Sequence, residues 1–233
     1  MLFRTLLTAE EWSALWLSFK VASCAALIAL PFAVGVGHAL ARSRFRGKWV
    51  AEVFVNLPLV LPPVVVGYLL LVSLSPREPL GSLLLAWFGV RIVFSWWGAV
   101  VASVVVSFPL MVRAIRLSFQ AIDPRLELAA RSLGASRFQV FFTVTLPLAR
   151  RGLIAGWVLA FARSLGEFGA TIMVAGNIAG QTRTIPLAIY TLTNQPDGAE
   201  QSWRLVGLAV LLACGALAAS EWLERRRSTD ARA

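Results

Sequence analysis

The stretch from residue 126 to residue 147, LELAARSLGASRFQVFFTVTLP, encodes a short helix-turn-helix between segments that are apolar enough to cross a membrane. Asp123 is a favourable N-cap, and Pro124 suits the first position of a helix. Gly134 stands where a left-handed residue commonly ends a helix. Between them, apolar residues recur at i, i+3, i+4 and i+7 and predict one apolar face: Leu126, Ala129, Ala130 and Leu133.

A second helix is predicted directly after this turn. Ser136 and Gln139 form a capping-box pattern that begins it, and we expect Pro147 to end it. A short, capped, amphipathic hairpin next to membrane-spanning segments is suited to docking into another protein. The chain is therefore expected to be one subunit of a larger assembly.

Composition places this hairpin in a membrane protein. Hydrophobic residues make up 58% of the 233 residues and charged residues only 15%, whereas soluble domains are about a quarter charged. A sixth span near Leu80–Val90 is the alternative, but the segment PLGSLLLAWFGV at residues 79–90 is short for a span, and we expect a helix on the outer face. Five other segments are expected to cross the ~30 Å hydrocarbon core: Val21–Ala41, Val53–Pro76, Ile92–Val112, Gly152 to about Ala175, and Leu205–Ser220.

The basic residues alternate along the chain with these predicted spans. The formal net charge is +10, and 15 of the 22 basic residues lie at residues 42–48, 113–151 and 225–232. Because cytoplasmic loops of membrane proteins are enriched in Lys and Arg, this distribution predicts an outer N-terminus and a cytoplasmic C-terminus. This distribution of basic residues requires no nucleic-acid partner. The second helix of the hairpin is also too apolar to contact the base edges or phosphates of DNA.

Three prolines interrupt the second predicted span. The sequence NLPLVLPP at residues 56–63 contains Pro58, Pro62 and Pro63, which remove backbone donors and bend or unwind a helix. In a bilayer such a break is tolerated where protein or a water-filled cavity satisfies the freed carbonyl groups. Two interpretations stay open: a packing kink, or a bent helix that lines a transport path.

Two charged residues interrupt the fourth predicted span. Arg163 and Glu167 are four residues apart and would share one helix face. Charges at that depth are costly unless they are paired or face an aqueous path. We expect them to pair with each other, which gives Glu167 a structural role and lets Arg163 face the path when the pair opens. Gly166 and Gly169 would let a neighbouring backbone approach closely.

Signatures of catalysis and of cofactor binding are not found in the sequence. There is no G-x-x-x-x-G-K-[ST] loop, so another chain must bind ATP if ATP drives the system. No nucleophile–base set favours an enzyme, and no spacing of ligands suggests a metal site. Cys24 and Cys214 fall within predicted spans and are expected to be apolar packing residues, and His38 a packed or interfacial imidazole.

The hairpin resembles the EAA loop of bacterial ABC-importer permeases, in which Glu-Ala-Ala, three residues, Gly, nine residues and Ile-x-Leu-Pro follow in order. Here LAA at residues 128–130 precedes Gly134 with the same spacing, and VTLP at residues 144–147 follows after nine residues. Leu128 replaces the usual Glu and Val144 the usual Ile. Glu127, one position earlier, is the candidate for the acidic group.

This resemblance implies a single transmembrane domain over residues 1–233 whose residues 121–147 form a cytoplasmic coupling loop. In the family, this loop is seated in a groove of an ATP-binding subunit. The residues expected to couple to that subunit are Arg125, Glu127, Ala129, Ala130, Gly134, Ala135, Arg137 and Phe138.

Two further stretches resemble the molybdate-importer permeases. One is LPLVLPP at residues 57–63, and the other runs from GEFGAT at 166–171 through GNI at 176–178 to TIPLAIY at 184–190. Sulfate and thiosulfate permeases share GEFGA and then diverge. The candidates for the transport path or for helix packing within and beside these stretches are Pro58, Pro62, Pro63, Arg163, Gly166, Glu167, Gly169 and Thr171.

Together, the resemblances imply an all-α membrane protein with about five transmembrane helices and the type I ABC importer fold. They imply a homodimer in the bacterial inner membrane, two ATP-binding subunits that use ATP and Mg, and a periplasmic oxyanion-binding protein. This chain would hold no cofactor and would pass molybdate to the cytoplasm. The alternatives are a sulfate/thiosulfate or tungstate ABC permease and, from another class, a stand-alone secondary transporter, although the two-half symmetry typical of such transporters is lacking.

Overall fold

The structure, a computed structural model, describes residues 8–43, 45–196 and 198–230. Within these ranges the chain is helical and has no β-strand, which confirms the predicted all-α class. A π-helical turn, Phe141–Thr145, joins the helices Arg137–Val140 and Leu146–Leu165. The helices are α1 (Ala9–Arg42), α2 (Lys48–Val60), α3 (Pro63–Ser73), α4 (Pro79–Phe88), α5 (Trp96–Gln120), α6 (Pro124–Ser132), α7 (Arg137–Val140), α8 (Leu146–Leu165), α9 (Gly169–Ala175), α10 (Ile185–Thr193) and α11 (Gly198–Asp230).

The centre of the fold is a bundle of α1, α5 and α8. Ile115 of α5 lies between two glycines: a Cβ on Gly37 of α1 would be 3.0 Å from its Cγ2, and a Cβ on Gly156 of α8 would be 3.2 Å from its Cγ1. Small residues at such contacts let membrane helices approach closely. The face of α1 toward this bundle includes three fully buried alanines, Ala26, Ala29 and Ala33.

Within the part of the chain that the structure describes, three helical stretches are long and apolar enough to cross a membrane: Ala9–Arg42, Trp96–Gln120 and Arg137–Leu165. The pair α2 and α3 would make a fourth span, bent by 109°. The fifth predicted span lies in α11, where the apolar part within the described residues is the shorter Ser202–Ala216. The count of five therefore stays a prediction. The segment after α3 forms α4, a helix of 10 residues, as expected for a segment too short to span.

The predicted break is confirmed at Pro62 and Pro63, whereas Pro58 lies inside α2, which continues through it. α2 ends at Val60, and α3 begins at Pro63, which occupies the first turn of the new helix. Pro62 is extended, with ψ of 133°, and so turns the chain between the two helices. Since proline fixes φ and lacks a donor, this sequence favours a new helix start over a continuous span.

The expectation that Pro147 ends the hairpin is wrong. The helix continues through it, because Phe141–Thr145 widens into a π-helical turn in which the Leu146 N–H donates to the carbonyl of Phe141, five residues back. Pro147 then occupies the first turn of α8, where its missing N–H is tolerated. The second helix of the hairpin is thus continuous with a membrane-spanning helix.

The fourth predicted span also differs from expectation. α8 ends at Leu165, and the short α9 begins only at Gly169. Glu167 therefore lies in a break between two helices and not on one helix face with Arg163. The charged residues Arg163 and Glu167 mark this region in the sequence, but a pair four residues apart fits a continuous helix as well as a broken one.

Candidate functional site

α6, the turn and α7, residues 123–140 and called the hairpin from here on, have the local chemistry predicted for them. Asp123 Oδ1 accepts a hydrogen bond from the Arg125 N–H at 2.9 Å and caps α6. Gln139 N–H donates to Ser136 Oγ at 3.3 Å, and Ser136 N–H donates to Gln139 Oε1 at 2.8 Å, which completes a capping box for α7. Gly134 between them has φ of +90°, a conformation that favours glycine.

The outer surface of the hairpin is apolar and exposed. α6 has no buried residue, and Leu133 and Phe138 are 89% and 74% exposed. Apolar surface in a compact capped element marks an interaction site. Among the predicted coupling residues, Arg125, Ala129, Gly134, Arg137 and Phe138 are exposed, and Glu127, Ala130 and Ala135 are half-buried.

Glu127 differs from the other predicted coupling residues because its carboxylate points toward the bundle. Its Oε1 lies 3.0 Å from Arg42 Nη2 at the end of α1, and it accepts a hydrogen bond from Thr145 Oγ1 at 3.0 Å. The side chain is 21% exposed. Sequence reasoning missed Arg42 and Thr145, since nothing in their local patterns indicates a contact with the hairpin.

The two helix breaks lie against each other. A Cβ on Gly169, at the start of α9, would be 3.0 Å from Pro63 Cβ at the start of α3. One turn along, a Cβ on Gly67 would lie 2.8 Å from both Cα and the carbonyl oxygen of Ala170. Gly169 therefore provides the close approach predicted for it. Gly166 does not, because a Cβ there would meet nothing within 4 Å in this chain.

The helices around these breaks expose apolar side chains. α2 has no buried residue, and on either side of the break Val60 and Val64 are 80% and 48% exposed. Pro62 is exposed, Pro58 and Pro63 are half-buried, and Thr171 is buried in α9. The exposed face of α2 and α3 is thus available to line a path or to meet a second copy of the chain, whereas Thr171 is not.

The predicted pair of Arg163 and Glu167 is confirmed, with 2.7 Å between Arg163 Nη1 and Glu167 Oε2. Glu167 Oε1 also accepts a hydrogen bond from the Ala170 N–H at 2.8 Å. The carboxylate thus caps the first turn of α9, where the helix dipole favours a negative charge. Its side chain is 2% exposed and that of Arg163 is 30% exposed, so Arg163 is the partner that reaches open surface.

This geometry predicts that Glu167→Gln destabilises the protein by about 3 kcal/mol, because the change leaves the partly buried Arg163 without its counter-ion. Arg163→Gln combined with Glu167→Gln should recover part of the loss. Thermal unfolding of the three purified proteins in detergent measures the difference. Equal unfolding temperatures for the wild type and Glu167→Gln would refute the structural role of the pair.

His38 and Cys24 are partly buried, as expected of packed side chains, whereas Cys214, also expected to pack, is exposed on this chain. The His38 ring packs edge-on against Phe119 and Phe141, with centroids 5.2 and 4.9 Å away. Cys24 and Cys214 are free thiols. Among the described residues no group of three His, Cys, Asp or Glu side chains is arranged to hold a metal ion.

The sequence is similar to membrane proteins of known transport systems. Residues 29–228 match the family model of the binding-protein-dependent transport system inner membrane component. The chain is 56% identical over 220 residues to the molybdenum transport system permease protein ModB of Escherichia coli strain K12, covering 94% of this chain and 96% of that protein. It is 54% identical over 216 residues to the ModB of Haemophilus influenzae, covering 93% and 94%.

Solved structures share the fold at low sequence identity. A structure of the MetNI methionine ABC transporter in an inward-facing conformation has a TM-score of 0.70 at 17% identity, covering 91% of this chain and 94% of that one. A bacterial alginate ABC transporter in complex with an alginate pentasaccharide-bound periplasmic protein has a TM-score of 0.73 at 18% identity, covering 95% and 80%. At these identities the likeness shows the fold alone.

Proposed function

The chain belongs to the family of binding-protein-dependent transport system inner membrane components, and from that premise we propose that it is the permease subunit of an ATP-driven molybdate importer. It is a multi-pass inner-membrane protein with the type I ABC importer fold. The observation that carries the proposal is the 56% identity to the molybdenum permease of E. coli, which extends over 94% of the chain. The alternative substrates, sulfate, thiosulfate and tungstate, are also oxyanions, but the relatives named above are molybdenum permeases.

The proposed assembly contains two copies of this chain, two ATP-binding subunits and a periplasmic oxyanion-binding protein. The exposed apolar surface of the hairpin supports an ATP-binding partner, and the exposed face of α2 and α3 supports a second copy. A periplasmic protein is present in the structure of the alginate transporter. ATP and Mg would be used by the partner subunit, and this chain would be no enzyme itself.

The proposed mechanism is alternating access. ATP binding would close the two partner subunits against each other and move the hairpin. That movement reaches the membrane by a continuous helix, because α7, the π-helical turn and α8 form one stretch from Arg137 to Leu165. α8 leads to the break at Glu167, and α9 packs on α3 through Gly67. The two helix breaks would then open the path toward the binding protein, and hydrolysis would reset it inward.

Complementation in cells tests this function. A strain that lacks its own molybdate permease is supplied with this chain and its ATP-binding and binding-protein partners, and cellular molybdenum is measured at low external molybdate. We expect accumulation to be restored by the complete set and not when this chain is omitted. Restored sulfate uptake without molybdenum accumulation would instead assign the substrate to sulfate.

The proposed orientation gives a separate prediction. Because the basic residues cluster in alternate segments, reporter fusions at Ser43 and Gln120 should report the cytoplasm, and a fusion at Pro79 should report the outside. A pair of reporters that fluoresce or hydrolyse substrate on only one side of the membrane measures this. A cytoplasmic signal at Pro79 would contradict the proposed topology.

A further inference from the structure

A cluster of three polar side chains joins the hairpin to the transmembrane bundle. Arg42, Glu127 and Thr145, which we call the polar clasp, come from α1, α6 and the π-helical turn. Glu127 Oε1 is 3.0 Å from Arg42 Nη2 and 3.0 Å from Thr145 Oγ1. Arg42 Nη2 also donates to the carbonyl oxygen of Ile122 at 3.0 Å, just before the hairpin begins. A single carboxylate oxygen therefore connects the hairpin to two other elements.

Burial makes these contacts stronger than those of a surface ion pair. The side chains of Arg42 and Glu127 are 18% and 21% exposed, and Thr145 is buried. Partly buried charges are screened less by salt and water than exposed ones. Removing one partner leaves the other charge unpaired at a partly buried position, which is destabilising. We expect the hairpin to shift as a result.

Because Glu127 belongs to α6, the clasp connects this helix to the transmembrane bundle. No residue of α6 is fully buried, so the helix contributes no side chain to the apolar core. Glu127 lies in the first turn of this helix and connects it to the end of α1 and to the π-helical turn before α8. Thr145 lies in the π-helical turn, an irregularity that often marks functional positions within helices.

We propose that Arg42 and Thr145 are positioning residues for coupling, which hold Glu127 so that a displacement of the hairpin moves α1 and α8 together. The inference rests on the proposed function, in which an ATP-binding subunit acts on the hairpin. Without the clasp, α6 would move relative to the bundle, and ATP hydrolysis would continue without a matching displacement of the transmembrane helices.

The amount of ATP hydrolysed per molybdate transported tests this role in the reconstituted complex. Glu127→Gln keeps the shape of the side chain and removes its charge, and we expect it to raise that ratio about tenfold, within the range of typical coupling energies. Arg42→Gln should have the same effect, Arg42→Lys should keep most of the coupling, and the two Gln changes together should be no worse than either alone.

A second ion pair provides the matched control. Arg116 Nη2 lies 2.9 Å from Glu52 Oε1, with side chains 28% and 33% exposed, and it joins α5 to α2 without contacting the hairpin. Glu52→Gln should leave the ratio of ATP to molybdate at the wild-type value. An equal rise in Glu52→Gln and Glu127→Gln would overturn the inference, because it would show a general effect of losing an ion pair.

The outcomes separate this inference from the proposed function. If the wild-type chain neither associates with an ATP-binding subunit nor transports molybdate, the proposed function fails. If the wild type transports and Glu127→Gln keeps the wild-type ratio, only the clasp is refuted. Should Glu127→Gln be absent from the membrane, Thr145→Val decides, since it removes one donor and leaves the ion pair: a rise of about threefold supports the clasp, and no rise refutes it.

Discussion

Gly134→Val is expected to reduce ATP-driven molybdate uptake to background while the protein still inserts into the membrane. Gly134 has φ of +90°, and a β-branched residue in that region costs roughly 1–3 kcal/mol. The chain can relieve this strain only by changing the turn between α6 and α7. Such a change displaces Phe138, which is 74% exposed on the surface proposed to dock the ATP-binding subunit. Uptake and co-purification of that subunit should therefore be lost together.

Gly47→Val is the matched control for this substitution. Gly47 also has a positive φ, +86°, and a Cβ there would likewise meet nothing within 4 Å, so the local strain is comparable. It caps α2 and lies outside the hairpin. We expect Gly47→Val to keep the ATP-binding subunit bound. Full uptake by Gly134→Val would show that the hairpin does not couple, and equal loss of binding in both variants would show that strain alone is responsible.

Gly67→Ala is expected to lower the free energy of unfolding by about 1–3 kcal/mol through overpacking and to impair transport as well. The added methyl would lie 2.8 Å from Cα and the carbonyl oxygen of Ala170. Backbone atoms cannot rotate away as a side chain can, so α3 and α9 must separate. Because the two helix breaks meet here, we also expect molybdate uptake to fall severalfold. Thermal unfolding in detergent and uptake in proteoliposomes measure the two effects.

Gly35→Ala controls for the change from glycine to alanine in a helix. Gly35 lies in α1, and a Cβ there would meet nothing within 4 Å. Alanine favours helix over glycine by roughly 0.5–1 kcal/mol, so this variant should be as stable as the wild type or slightly more stable. If Gly67→Ala unfolds at the same temperature as Gly35→Ala, the close contact of α3 and α9 does not exist in the protein.

Features that depend on neighbours in sequence could be predicted from the chain. The caps at Asp123 and Ser136, the positive φ at Gly134 and the break at Pro62 each follow from the conformational preferences of one residue or a few adjacent ones. The pairing of Arg163 with Glu167 was also predictable, since a buried charge four residues from an opposite charge has an obvious partner.

Features that depend on irregular helix geometry or on contacts between distant parts of the sequence could not be predicted from local patterns. Pro147 usually ends a helix, but a widened π-helical turn before it removes the conflict and lets the helix continue. The break before Gly169 could not be predicted from Arg163 and Glu167, because an opposite-charge pair four residues apart is also expected within one continuous helix. The contact of Arg42 with Glu127 joins elements far apart in sequence, and no local pattern encodes it.

Uptake of labelled molybdate by proteoliposomes tests directly whether this chain is the permease subunit of an ATP-driven molybdate importer. The vesicles contain this chain and its ATP-binding subunit, the binding protein is added on the opposite side from ATP, and each component is omitted in turn. We expect uptake only when all three proteins and ATP are present, with competition by tungstate. Molybdate movement through this chain alone, without ATP or partners, would contradict ATP-driven import. It would assign the chain to the secondary transporters or channels.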